Sequence, residues 1–71
     1  MKCVIRHSIH GWLCTDDWGN FFFSESHPAI AYWFEDVAVA RTFFETYKEK
    51  HLLHIYYPVE ERGKLLFPTP P

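Results

Sequence analysis

An α+β fold, a small antiparallel sheet of three to five strands packed against one main helix, is what three features of this 71-residue chain predict. Trp33, Val37, Ala40, Phe44, Tyr47 and His51 follow one another at steps of three and four, the stripe of an amphipathic helix. Short runs rich in β-branched and aromatic residues stand on both sides of that stripe, separated by clusters of Gly, Asp, Asn and Ser. The third feature is length, which allows a single domain, 1–71, with sheet and helix over 1–57 and a terminal hairpin and Pro-rich tail over 58–71.

Residues 2–7 carry Cys, Val and Ile in succession without a helix signal. They form a strand with Cys3, Ile5 and His7 on one side and Val4 and Arg6 on the other. A turn over 8–11 sends the chain back through 12–15, with Trp12 and Cys14 facing opposite to Leu13. Asp16, Asp17, Gly19 and Asn20, interrupted by Trp18, make the strongest turn cluster. Phe21, Phe22 and Phe23 follow as a short third strand. Neighbouring side chains on a strand point to opposite faces, so packing Phe21 and Phe23 on the helix turns Phe22 away from it. The same alternation sends one of Tyr56 and Tyr57 outward. A sheet covered by one helix therefore shows at least two rings on its other face, unless loops or a second copy cover them.

Ser26, His27 and Pro28 suit a helix start, with Ser as cap and Pro in the first turn. Two arrangements follow. In one, a single helix runs over 28–50, since no Gly or Pro interrupts it. In the other, a short turn around 29–32 ends near Phe34, and a second helix starts at Asp36 as cap and runs to about Lys50. The second is favoured because Glu35 and Asp36 lie where a helix dipole wants acid, and Lys48, Lys50 and His51 then lie at the opposite end. Residues 52–57 read as a further strand that Pro58 ends. The polar turn 60–64 lets 65–67 pair back as a last hairpin, and 68–71 is a stiff extended end.

The formal charge is −2 and aromatic residues make up 20% of the chain. Nucleic-acid modules carry a basic excess on one face, so a nucleic-acid partner is not expected. Single-strand binding is kept as an alternative, against the scarcity of Lys and Arg around Phe22 and Tyr56. No run approaches the roughly 18 apolar residues of a membrane span. Arg6 and His7 break the first apolar run too early for a secretory signal, so a cytoplasmic protein without membrane contact is expected. In that compartment Cys3 and Cys14 are most simply free thiols, with a bridge between them as the lesser alternative.

Cys3, His7, His10 and Cys14 form a C-x3-H-x2-H-x3-C arrangement that raises the question of zinc, which wants four soft or imidazole ligands in a tetrahedron. Residues four apart on a strand lie ~13 Å along it, too far to share one ion unless the strand bends. Buried thiols and surface histidines are the simpler reading, with no metal or cofactor. His51 is read as capping the helix C-terminus and His54 as half exposed. No nucleophile stands at a recognisable spacing from a base, so an enzyme is not expected. Turn chemistry accounts for Asp16 and Asp17.

The Met1-Lys2 start leading into Val4, Ile5 and Arg6, then Gly11-Trp12-Leu13-Cys14, an aromatic run, and Ala31, Phe34, Asp36 and Ala40 with a Phe-rich helix, resembles small accessory proteins of phages and prophages. The resemblance covers most of 1–57 and rests mainly on core positions. It implies a β-hairpin or meander on one helix. It also implies a non-enzymatic role of the anti-CRISPR or other anti-defence type, in which the protein binds and blocks a host protein in the host cytoplasm. Trp12, Trp18, Phe22, Trp33, Tyr56 and Tyr57 are the expected contacts, with Asp16, Asp17, Glu60 and Glu61 as polar rim. The alternative for the same face is closure of a homodimer that serves as a structural or regulatory subunit.

Overall fold

The structure, a computed structural model, describes residues 2–26 and 30–66. Strands β1 (Val4–His7), β2 (Gly11–Thr15), β3 (Phe21–Ser24) and β4 (Leu53–Tyr56) form one antiparallel sheet in the order β3-β2-β1-β4. Helix α1 (Val37–Thr46) packs on one face. A 3-10 turn (Lys50–Leu52) leads into β4, and β5 (Val59–Glu61) and β6 (Lys64–Leu66) form a separate hairpin. Its two-residue connection has positive φ at both Arg62 (51°) and Gly63 (75°), as a turn that follows the right-handed twist of a hairpin requires.

The alternation expected of each strand is the one observed. Register pairs Ile5 with Ile55 and Leu13 with Phe23, and these side chains join Cys3, Phe34, Ala40 and Leu53 under the helix. Val4, Trp12 and Cys14 point to the other face, where Ala31, Trp33 and Tyr56 pack with them. Ala40 is fully buried, so the helix approaches the sheet through its smallest side chain, and Phe43, Phe44 and Tyr47 fill the space around it.

The main departure from expectation lies before the helix. Asp36 is its N-cap residue by backbone geometry, as the favoured arrangement has it, but α1 ends at Thr46 rather than near Lys50. No basic residue stands in its last turn. Residues 31–34 are not helical, and Phe34 forms an isolated bridge. Phe34 exchanges backbone bonds with Cys3 in both directions (3.1 and 2.8 Å), and the Tyr32 N–H donates to the Leu13 carbonyl at 2.8 Å. This segment thus bonds to Cys3, just ahead of β1, and to Leu13 of β2, while β1 and β2 pair with each other at Arg6↔Trp12 and His7↔Gly11. Its side chains alternate as in a strand: Ala31 and Trp33 join the outer cluster, whereas Tyr32 and Phe34 contact Phe21 on the helix side. The turn expected around 29–32 falls partly on 27–29, which with Phe67 and the tail 68–71 lies outside the described residues.

Candidate protein interface

Two surfaces compete for the role of contact face. On the outer sheet face, Trp12, Phe22, Trp33 and Tyr56 stand on the same side, as alternation requires. Trp12 is nevertheless only 9% exposed, its ring against Tyr56 (centroids 5.2 Å) and under the Arg6 guanidinium (5.6 Å). Trp33 and Tyr56 are half-buried, so among these four only Phe22, at 45%, is exposed. Tyr57 packs with the core on the helix side, which makes Tyr56 the outward member of that pair. Trp18 stands apart from all of them at the tip of the β2–β3 turn, 83% exposed. Glu60 and Glu61 are exposed on β5.

The carboxylate of Asp16 is used within its own turn. Its Oδ1 accepts the Trp18 and Asn20 N–H groups, both at 2.9 Å, and its Oδ2 faces the Asn20 amide at 3.3 Å. The Asn20 N–H above all, with those of Trp18 and Gly19 and the Asn20 side chain, holds the carboxyl below its ordinary pKa. Asp17 is exposed beside it. Turn chemistry is thus the role the structure gives Asp16, and it keeps a negative charge fixed near the start of β3.

The second surface was not legible in the sequence. The helix flank and the start of β3 enclose an open groove of about 570 Å³, lined by Phe21, Tyr32, Phe34, Val39 and Phe43, with Ala38, Thr42 and Thr46 along one wall. The rings meet edge to face: Phe21 with Tyr32 at 5.4 Å and Tyr32 with Phe34 at 4.9 Å. Val39 is 55% exposed on the helix wall. Both wall hydroxyls are engaged by their own helix, Thr42 donating to the Ala38 carbonyl and Thr46 to that of Phe43. None of the groove residues carries a charged side chain at neutral pH or a thiol, so the surface suits apolar groups.

The histidine and cysteine cluster takes a different form from the one expected. Cys14 points to the face opposite Cys3 and His7, and among the described residues no group of His, Cys, Asp and Glu is disposed to hold a metal ion. His7, expected at the surface, is fully buried. Its Nδ1 accepts the N–H groups of Ile9 (3.0 Å) and His10 (3.1 Å), which places its proton on Nε2. That atom has no hydrogen-bond partner among the described residues, and the nearest carboxylate oxygen, Oε1 of Glu49, is 3.9 Å away. Burial, with the His10 ring at 4.5 Å adding to it, lowers the His7 pKa. His51 is exposed in the 3-10 turn, and exposed His54 meets the Ser8 hydroxyl at 2.9 Å. Both cysteines are free and buried, and burial raises the pKa of each thiol.

No helix among the described residues is long and apolar enough to cross a membrane. No protein-family model matches the chain, and no curated protein or solved structure matches it either.

Proposed function

We propose that this protein is a non-enzymatic protein-binding module that contacts its partner through the groove between α1 and β3, with Phe22 and Trp18 extending the surface across the strand. The observation that carries this function is an uncharged, open groove with six apolar or aromatic residues beside an outer strand of the sheet. Large rigid rings in such a setting are the side chains that anchor interfaces, at ~2 kcal/mol or more each when central. The resemblance to phage accessory proteins adds a direction: the partner is a host protein, and the protein acts by occluding it. Blocking requires only a surface and no chemistry, in keeping with the uncharged lining.

The test is capture of the partner from host extract by the wild-type chain, by Val39→Asp, and by Ile9→Asp. Ile9 lies in the β1–β2 turn, away from the groove. The function predicts a discrete partner that Val39→Asp loses and Ile9→Asp keeps. Retention of that partner by Val39→Asp contradicts it.

A further inference from the structure

The backbone phase of β3 indicates how a partner would engage the groove. The Asp16 N–H donates to the Asn20 carbonyl at 3.0 Å, and the register runs from Thr15↔Phe21 to Trp12↔Ser24. Bonded and non-bonded pairs alternate along an antiparallel ladder. Cys14↔Phe22 and Trp12↔Ser24 are therefore the bonded pairs, and the N–H and C=O groups of Phe21 and Phe23 point away from β2. Leu13, the partner of Phe23, obeys the same phase, since its carbonyl accepts Tyr32 from the opposite side of β2. The outer edge of β3 thus presents the main-chain groups of Phe21 and Phe23, whose side chains both stand on the helix side.

Acidic residues outnumber basic ones around this edge. Asp16 and Asp17 precede β3, Glu25 follows it, and Glu35 and Asp36 lie between groove residues Phe34 and Ala38. Glu25 faces Arg6 at 3.9 Å and Arg41 lies on α1 beside the groove wall, but 16–25 and 34–40 contain five carboxylates and no Lys or Arg. We infer that the partner presents an extended segment with alternating apolar side chains and flanking Lys or Arg, which adds to the sheet as a strand beside β3 and lowers its apolar side chains into the groove. Pairing with Phe21 and Phe23 supplies the main-chain bonds, alternation supplies the side chains, and the carboxylates select the flanks. A second copy of this chain fits the same edge less well, because it brings the same excess of carboxylates to the joint.

This inference rests on the protein-binding function proposed above and is tested separately from it. The probe is a synthetic peptide of alternating valine and threonine with two lysines at each end, added to the full isotope-labelled chain and followed by amide exchange. Two control peptides carry glutamates at the ends or a proline in place of the central valine. The lysine peptide is expected to slow exchange at the Phe21 and Phe23 amides by about tenfold or more and to bind about tenfold more tightly than the glutamate peptide at low salt. The proline peptide is expected to leave both amides unprotected. Equal binding of the glutamate peptide, protection centred on Trp33 and Tyr56, or no change at Phe21 and Phe23 overturns the inference. So does protection of these two amides that rises with protein concentration alone, which would assign the edge to a second copy. Failure of the lysine peptide while Val39→Asp still loses the host partner removes strand addition and leaves the protein-binding function standing. Retention of the partner by Val39→Asp removes that function itself.

Discussion

His7 holds the first hairpin closed with a lone pair. Two backbone N–H groups of the turn converge on its Nδ1, and the ring lies among His10, Phe23 and Tyr47 with Glu49 at its far side. Protonation would set a third N–H against those two donors, so the folded state keeps the ring neutral. The unfolded chain takes up its proton near the ordinary value of 6.5, and the folded chain only at lower pH because of burial. Stability is therefore full above that value and declines as pH falls below it, down to the folded value. Asp16 adds a second loss at lower pH: its carboxylate is stabilised by the turn, and this contribution fades as pH falls below the ordinary 3.8. Urea midpoints across pH should show both steps. His7→Asn, which keeps an acceptor near the Nδ1 position, should flatten the upper step and leave the lower one; an unchanged upper step would exclude His7 as its source. Nothing in the spacing of His7 marks it as buried, since Cys3, Ile5 and His7 share a face by alternation alone and depth depends on the helix above. The same helix protects the thiol of Cys3, and Trp12 and Trp33 stand in the cluster around Cys14. Labelling of both thiols in the native protein should be slow and should track unfolding, whereas prompt reaction would contradict their burial.

At the level of elements, the strands and their faces are legible because a period of two is a local property. Cys3 to His7, Gly11 to Thr15 and the Phe triplet need no distant partner to reveal it. The segment before α1 is not legible in this way. Trp33 fits a helical stripe as well as a strand, and only backbone bonds to Cys3 and Leu13, distant in sequence, decide for the strand. Asp36 is legible as the cap since an acidic residue before Val37 suits the start of a helix, whatever precedes it. Gly11 marks the tightest junction: its φ is +95°, and a Cβ there would collide with the Ser24 carbonyl of β3. Gly11→Ala should cost ~3 kcal/mol or prevent folding. Gly19, with positive φ but open space, should lose only about 1 kcal/mol on the same change. Ala40→Leu should cost roughly 1–3 kcal/mol by lifting the helix from the sheet. Chemical denaturation of the three variants checks this order, and equal losses at Gly11 and Gly19 would contradict the close approach.

For the whole molecule, the surplus of rings is divided between two faces. Alternation identifies Phe22 as outward and allows one tyrosine to be outward, but it does not foresee that Ala31 and Trp33 pack against Trp12 and leave little of it exposed. Nor does it foresee the groove, which joins Phe21 from a strand, Tyr32 from the inserted segment and Val39 from the helix. Such a surface exists only after folding, so no window of sequence displays it. Exposed residues contribute little to stability: Trp18→Ala in the β2–β3 turn and Val39→Asp in the groove should each change it by no more than about 0.5 kcal/mol, measured as a shift in urea midpoint. Binding and folding can therefore be separated by surface variants. The most direct measurement is photo-crosslinking in host cells with a photoreactive amino acid in place of Val39, compared with the same group in place of Ile9. A discrete heavier adduct from position 39 and none from position 9 is the predicted result. No adduct from position 39, or the same adducts from both positions, would contradict the groove as the contact surface.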